Sequence, residues 1–130
     1  MRYFGPIFHN SSYRVAIHID IQNWQSIRYY LDAEGYTGKE FAEILEIIIN
    51  RLVIPEKFGP LKVTKAHRDY FEMIFSQAGR DDRILCRKYE VKKYIHVILI
   101  KLYKQVPGEN IQEKIKKDII ETGGYDYDIQ

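Results

Sequence analysis

The stretch Tyr94–Tyr103 constrains the fold most. It contains Val97-Ile98-Leu99-Ile100, four consecutive apolar positions. Successive side chains of a strand point to opposite faces, so this run is apolar on both faces and predicts a central strand. Two further strand candidates precede it. Tyr70–Phe75 places Phe71, Met73 and Phe75 on one face, and Arg83–Tyr89 follows the turn Gln77-Ala78-Gly79-Arg80-Asp81-Asp82. Val91-Lys92-Lys93 reads as a second turn. Strands joined by short turns imply an antiparallel meander.

Upstream, Tyr13–Ile21 alternates. Val15, Ile17, Ile19 and Ile21 fall on one side, and Arg14, Ala16, His18 and Asp20 on the other. That period of two predicts a half-buried strand. At Asn23 the period changes: Trp24, Ile27, Tyr30 and Leu31 recur at helical steps, with Asn23 as a candidate cap. Gly35 ends this helix, and Thr37-Gly38-Lys39-Glu40 has capping-box spacing for a second. That helix runs through Phe41, Ile44, Leu45, Ile48 and Leu52 and stops before Pro55, making a helical hairpin. Gly59-Pro60 breaks the chain. After Pro107-Gly108, Ile111, Ile115 and Ile119 mark a closing helix, which Gly123-Gly124 ends. The expected architecture is an α+β domain: an N-terminal strand, a helical hairpin, a three-stranded meander and a C-terminal helix. Residues 1–130 form one domain, with an irregular lead-in at 1–12, a core at 13–121 and a tail at 122–130. One covered sheet face suffices for this plan, and the hairpin supplies it.

Composition narrows the class. The 130 residues are 45% apolar with 11 Tyr and 6 Phe, which excludes a disordered chain. No apolar run is long enough to cross a membrane, and the N-terminus lacks a signal-peptide pattern. Cys86 stands alone, so it makes neither an internal disulfide nor a cysteine metal cluster. The expectation is a soluble cytoplasmic protein. The overall charge of +2 is unevenly spread: residues 61–104 hold eleven basic against five acidic side chains. A basic block inside a folded segment suggests a surface facing a polyanion, or a solvated sheet face.

Several segments carry a family likeness. They are Gly59-Pro60-Leu61-Lys62, Tyr70-Phe71-Glu72-Met73-Ile74-Phe75, Asp82-Arg83-Ile84-Leu85-Cys86 and Ile98-Leu99-Ile100-Lys101-Leu102-Tyr103-Lys104, followed by the Ile-striped helix. With this element order, residues 13–121 resemble the RelE/ParE superfamily of toxins from toxin–antitoxin pairs. The resemblance implies a ribosome-dependent mRNA endoribonuclease that inhibits translation, or a relative that poisons DNA gyrase. It also implies an antitoxin partner and no cofactor; the amphipathic hairpin, the sheet edge and the acidic tail, read on their own, would suit a homodimer. Arg83 would contact the scissile phosphate, and Lys104 or Lys101 would lie near the basic residue ending the last strand. The chain departs from the pattern where some members carry two lysines, at about Glu72 and Ile74. The C-terminal aromatic or His pair has only Tyr125 and Tyr127 as candidates.

The chemistry explains the candidates. RNA supplies its own 2′-hydroxyl nucleophile, so cleavage needs a base, a phosphate grip and a proton donor, and no metal. Arg83 grips phosphate with its planar fork. Glu72 is a candidate base, Tyr103 a stacking group or proton donor, and Lys104 a further catalytic cation. Arg87, Lys88, Lys101, Lys62 and Lys65 are the expected RNA-binding residues. Arg83 and Arg87 share a face, and the register of the neighbouring strand decides whether Lys101 and Tyr103 or His96 and Lys104 join them. Glu56 is a weaker base candidate, and Cys86 a core residue. His18-Ile19-Asp20-Ile21-Gln22-Asn23 faintly resembles the strand end of PIN/NYN nucleases, which would imply a divalent cation. A non-catalytic binding module is the remaining alternative, built on the amphipathic hairpin, a sheet edge and the acidic tail.

Overall fold

The computed structural model describes residues 2–33 and 35–129; Met1, at the start of the lead-in, Glu34 and Gln130, at the end of the tail, lie outside the described residues. The strands are β1 (Phe4–Asn10), β2 (Val15–Asp20), β3 (Phe58–Pro60), β4 (Tyr70–Phe75), β5 (Asp82–Val91) and β6 (Tyr94–Tyr103). The helices are α1 (Trp24–Asp32), α2 (Tyr36–Ile49) and α3 (Ile111–Thr122). The result is an α+β fold with one six-stranded mixed sheet, ordered β1-β2-β6-β5-β4-β3. β2 and β6 run parallel, while β4, β5 and β6 form the expected antiparallel meander.

β6 lies inside the sheet, with Val97, Ile98, Leu99 and Ile100 all at 0% exposure. Burying each such side chain contributes about 1.5–3 kcal/mol, so both faces of the sheet are covered rather than one. On the first face α1 and α2 pack Ile27, Leu31, Ile44 and Ile48 against Ile17, Met73, Ile84 and Leu99. On the second, Ile111, Ile115 and Ile119 of α3, with Tyr125 and Tyr127, pack against Leu85, Ile98 and Ile100. The β5–β6 turn has two residues, Lys92 (φ 51°) and Lys93 (φ 67°). Positive φ at both central positions is the hairpin geometry that matches strand twist.

Two strands appear where the sequence suggested breaks. The lead-in is not irregular: β1 pairs antiparallel with β2, with a register shift between Pro6 and Phe8. At a sheet edge proline's missing N–H leaves no ladder bond unmade, so Gly5-Pro6 is tolerated there. Gly59-Pro60 likewise ends in the edge strand β3, where a Cβ on Gly59 would sit 2.8 Å from Pro55 Cα. The second face of β2 is not solvated either. Ala16, His18 and Asp20 are buried: Phe4 of β1 packs its ring 4.9 Å from that of His18, and the C-terminal tail folds back so that the Tyr127 hydroxyl donates to Asp20 at 2.6 Å.

The capping expectations resolve differently. Asn23 makes no cap; its amide donates to Ile100 O at 2.7 Å, tying α1 to β6. Thr37 and Glu40 do not close a capping box. Gly35 caps α2, and Glu40 sits fully buried, accepting from Ser76 N at 2.8 Å and Arg80 Nη2 at 2.6 Å. Arg80 also donates to the Thr37 and Tyr30 hydroxyls. This clamp holds the helical pair onto the turn before β5. Breaking a buried ion pair from one side leaves a charge uncompensated. Glu40→Gln is therefore expected to cost about 3 kcal/mol in urea unfolding; a loss near zero would show that the clamp does not hold the helices.

Candidate functional site

The register between β5 and β6 settles which residues share a face. Arg83 lies opposite Tyr103 and Leu85 opposite Lys101, then a bulge intervenes and Cys86 lies opposite Leu99. The extra residue resets the alternation. As a result Lys101, Tyr103 and His96 all lie on the face of Arg83 and Arg87. Lys104 lies on the other side, its Nζ 5.9 Å from the Tyr30 ring of α1.

Three of the four expected catalytic residues come together beneath α3. Arg83 Nη1 donates to Glu72 Oε1 at 2.8 Å, and its other nitrogens reach Asp81 Oδ1 at 3.0 Å. Burial opposes the Arg83 charge, but Glu72 and Asp81 outweigh it and raise the pKa. Gln112 of α3 donates to the same Glu72 oxygen at 3.0 Å, while Glu72 Oε2 is buried without a partner. Tyr103 donates to Asp118 of α3 at 3.0 Å; burial first, then Asp118, raises its pKa. Lys101 pairs with Asp118 at 3.6 Å. This guanidinium and this carboxylate hold each other, and α3 lies over them.

The expected RNA-binding cations divide. Arg87 is tied to Tyr125 O, Asp126 and Arg68 O and lies 4.7 Å from the centre of the Tyr70 ring. Lys62 and Lys65 are exposed on the loop between β3 and β4. That loop is well tied: Leu61 N donates to Tyr70 O, His67 N to Thr64 O, Arg68 Nε to Lys65 O and Lys88 N to Asp69 O. A groove of about 500 Å³ runs along it, taking in Lys62, Lys65, His67, Arg68 and Phe71. Lys88 lies over the Phe71 ring at 5.1 Å. Among the described residues, none of Lys62, Lys65, Arg68 and Lys88 pairs with a carboxylate. The sequence reading missed Arg68, although its place six residues after Lys62 in the basic block was visible.

His18 and Asp20 each meet partners within the protein. Asp20 is fully buried and accepts from Arg2 at 2.5 Å, from Gln22 N at 2.8 Å and from Tyr127. No three His, Cys, Asp or Glu side chains among the described residues are grouped to hold a metal. His18 instead meets His96: His18 Nε2 and His96 Nδ1 are 3.1 Å apart and the rings stack at 16°. Tyr94 and His9 extend that row, and sequence reasoning assigned neither a role. Glu56 is exposed ahead of β3, and Cys86 is a fully buried core residue whose thiol pKa burial pushes up.

Compared with family models, curated proteins and solved structures, the chain has no match. No helix among the described residues is long and apolar enough to cross a membrane.

His18 yields a pH prediction. Burial first, then the charges His96 and His9 would carry, lowers its pKa from 6.5 to about 4. An unfolded chain takes up this proton near the ordinary histidine pKa, while the folded chain refuses it until far lower. The contribution to stability is thus complete above 6.5 and lost as the pH falls towards 4. Relative to His18→Leu, the wild type is expected to lose up to about 1.4 kcal/mol per pH unit across that window. Parallel stability curves for the two proteins would refute this.

Proposed function

We propose that this chain is a RelE/ParE-like domain that binds RNA along the loop 61–69 groove and does not cleave it while α3 is seated. The observation that carries this reading is the unpaired set Lys62, Lys65, Arg68 and Lys88 around Phe71. Cations free of carboxylates can neutralise phosphates; the Phe71 ring, stacked on Phe58 at 4.9 Å, anchors Lys88 rather than offering a free face. By contrast Arg83, the expected phosphate grip, has its donors committed to Glu72 and Asp81. A phosphate would have to displace two carboxylates already paired there, and the cost of exposing them opposes it.

A second reading is supported by the convergence of Arg83, Glu72 and Tyr103. Together they offer a phosphate grip, a base and a proton donor, and Glu72 Oε2 has no partner of its own. In that reading the chain is the ribosome-dependent endoribonuclease of the family it resembles, and engagement with the ribosome lifts α3. An antitoxin segment would then act by keeping α3 down or by covering the groove.

Two measurements separate the readings. Anisotropy of a labelled single-stranded RNA is expected to show log Kd rising with log salt at a slope of about 3, for four neutralised phosphates. Lys62→Ala with Lys65→Ala should lower that slope by about 1.4. Absence of salt-dependent binding at low ionic strength would end the binding proposal. In a translating-ribosome assay the RNA is expected to stay intact. Cuts that appear with the wild type and vanish with Arg83→Ala would establish the nuclease instead.

A further inference from the structure

The C-terminal tail leaves α3 through Gly123 and Gly124, at φ 80° and 102°, and turns back along the basic loop. Gly124 suits this turn, since a Cβ there would lie 3.2 Å from His67 Nδ1 and 3.3 Å from the Tyr70 hydroxyl, closer than ordinary contact. Tyr125 N then donates to the same hydroxyl at 2.6 Å. His67 and Tyr70 both line the basic groove, so the tail closes one end of it.

Arg87 lies at this closed end. Its Nη2 donates to Arg68 O at 3.2 Å, and its guanidinium is 4.7 Å from the centre of the Tyr70 ring and 5.0 Å from that of Tyr89. Nη1 donates to Tyr125 O at 2.8 Å and to Asp126 Oδ1 at 3.2 Å, while Nε is buried without a partner. Carbonyls and rings therefore fix the side chain, and among the described residues Asp126 supplies its one carboxylate contact. The Asp126 side chain is 84% exposed, so this contact marks where an anion meets Arg87 from the solvent side. The contrast with Arg83 is plain, because Glu72, its partner, is 5% exposed. Separating that pair strands a buried charge, whereas an exposed pair contributes little and Asp126 returns to water.

We propose that Arg87 is a further phosphate contact at the end of the basic groove, and that Asp126 holds its place until an RNA strand arrives. This rests on the RNA-binding reading of the groove. Binding is then an exchange of anions: a phosphate oxygen accepts from Arg87 Nη1, and the Asp126 carboxylate swings into water. Tyr125 and Tyr127 are buried on either side of Asp126 and stay seated, so the exchange needs only the Asp126 side chain to turn. The tethered acid also sets which anions succeed. A strand already held at Lys62, Lys65 and Arg68 presents its next phosphate at high effective concentration. A free mononucleotide has no such advantage, and Asp126 outcompetes it. The ligand is therefore a polynucleotide strand rather than a single nucleotide.

The test compares Asp126→Asn with Asp128→Asn in the full chain, using labelled oligouridine at low ionic strength. Asp128 is exposed in the same tail and pairs with no cation among the described residues, so its variant reports the general effect of removing one negative charge. Asp126→Asn is expected to bind about two- to fivefold more tightly than Asp128→Asn, the worth of an exposed ion pair. In an Arg87→Gln background the two asparagine variants should bind alike. In the wild type, oligouridine should shift the Arg87 Nε–H signal saturably, and uridine monophosphate at the same phosphate concentration should leave it unmoved. Equal affinities of the two asparagine variants, or an Arg87 signal unmoved at saturating oligouridine, would overturn the exchange and leave RNA binding by the groove standing. A shift of equal size with uridine monophosphate would overturn the preference for a strand. Absence of salt-dependent binding by the wild type would end the RNA reading itself, and the exchange with it.

Discussion

The central strand β6 dictates the rest. Its four consecutive apolar residues lie on alternate faces, so water must be kept from both sides of the sheet. α1 and α2 cover one side, which leaves α3 and the C-terminal tail to cover the other. That second requirement decides the fate of the charged residues. Arg83, Arg87, Lys101 and Tyr103 all lie on the face that α3 and the tail occupy, and each is given a partner from those segments or from a neighbouring strand. Covering that face makes an open cationic palm incompatible with a dry core.

Two kinds of polar chemistry result. Beneath α3, cations and acids are linked in a network running from Asp81 through Arg83 and Glu72 to Gln112, with Glu72 Oε2 left over. Beyond the helix, at opposite ends of the same sheet, lie the basic loop and the histidine row. The loop holds Lys62, Lys65 and Arg68, none of them paired with a carboxylate, beside the single acid Asp69; the row sets His18 against His96 and Tyr94 against His9. Groups left unsatisfied by the fold are the ones with free energy to gain from a ligand.

Much of the architecture was legible. The Tyr70–Phe75 strand, the three-strand meander, both helices of the pair and the Ile111, Ile115 and Ile119 stripe follow from period and turn chemistry alone. β1 and β3 were not, because Gly-Pro reads as a break unless one knows the segment lies at a sheet edge. The candidate site was legible only in part. Arg83, Glu72 and Tyr103 were singled out and do converge, but the acids that occupy Arg83 and the helix above it come from segments distant in sequence. His9 and Tyr94 were passed over because their rings meet only once β1, β2 and β6 are paired, and those strands are far apart in the chain.

Local pattern thus determined the elements, their order and the placement of positive charge between residues 61 and 104. Periodicity and turn propensity act over a few residues and survive without knowledge of the partner strand. Tertiary structure alone decided which charges are neutralised and where hollows remain. A bulge at Ile100 changed the facing of every later β6 residue, and β1 with the returning tail buried His18 and Asp20 on a face that alternation marked as wet. Both depend on contacts between residues far apart in the chain, and a single inserted residue in one strand is enough to reverse them.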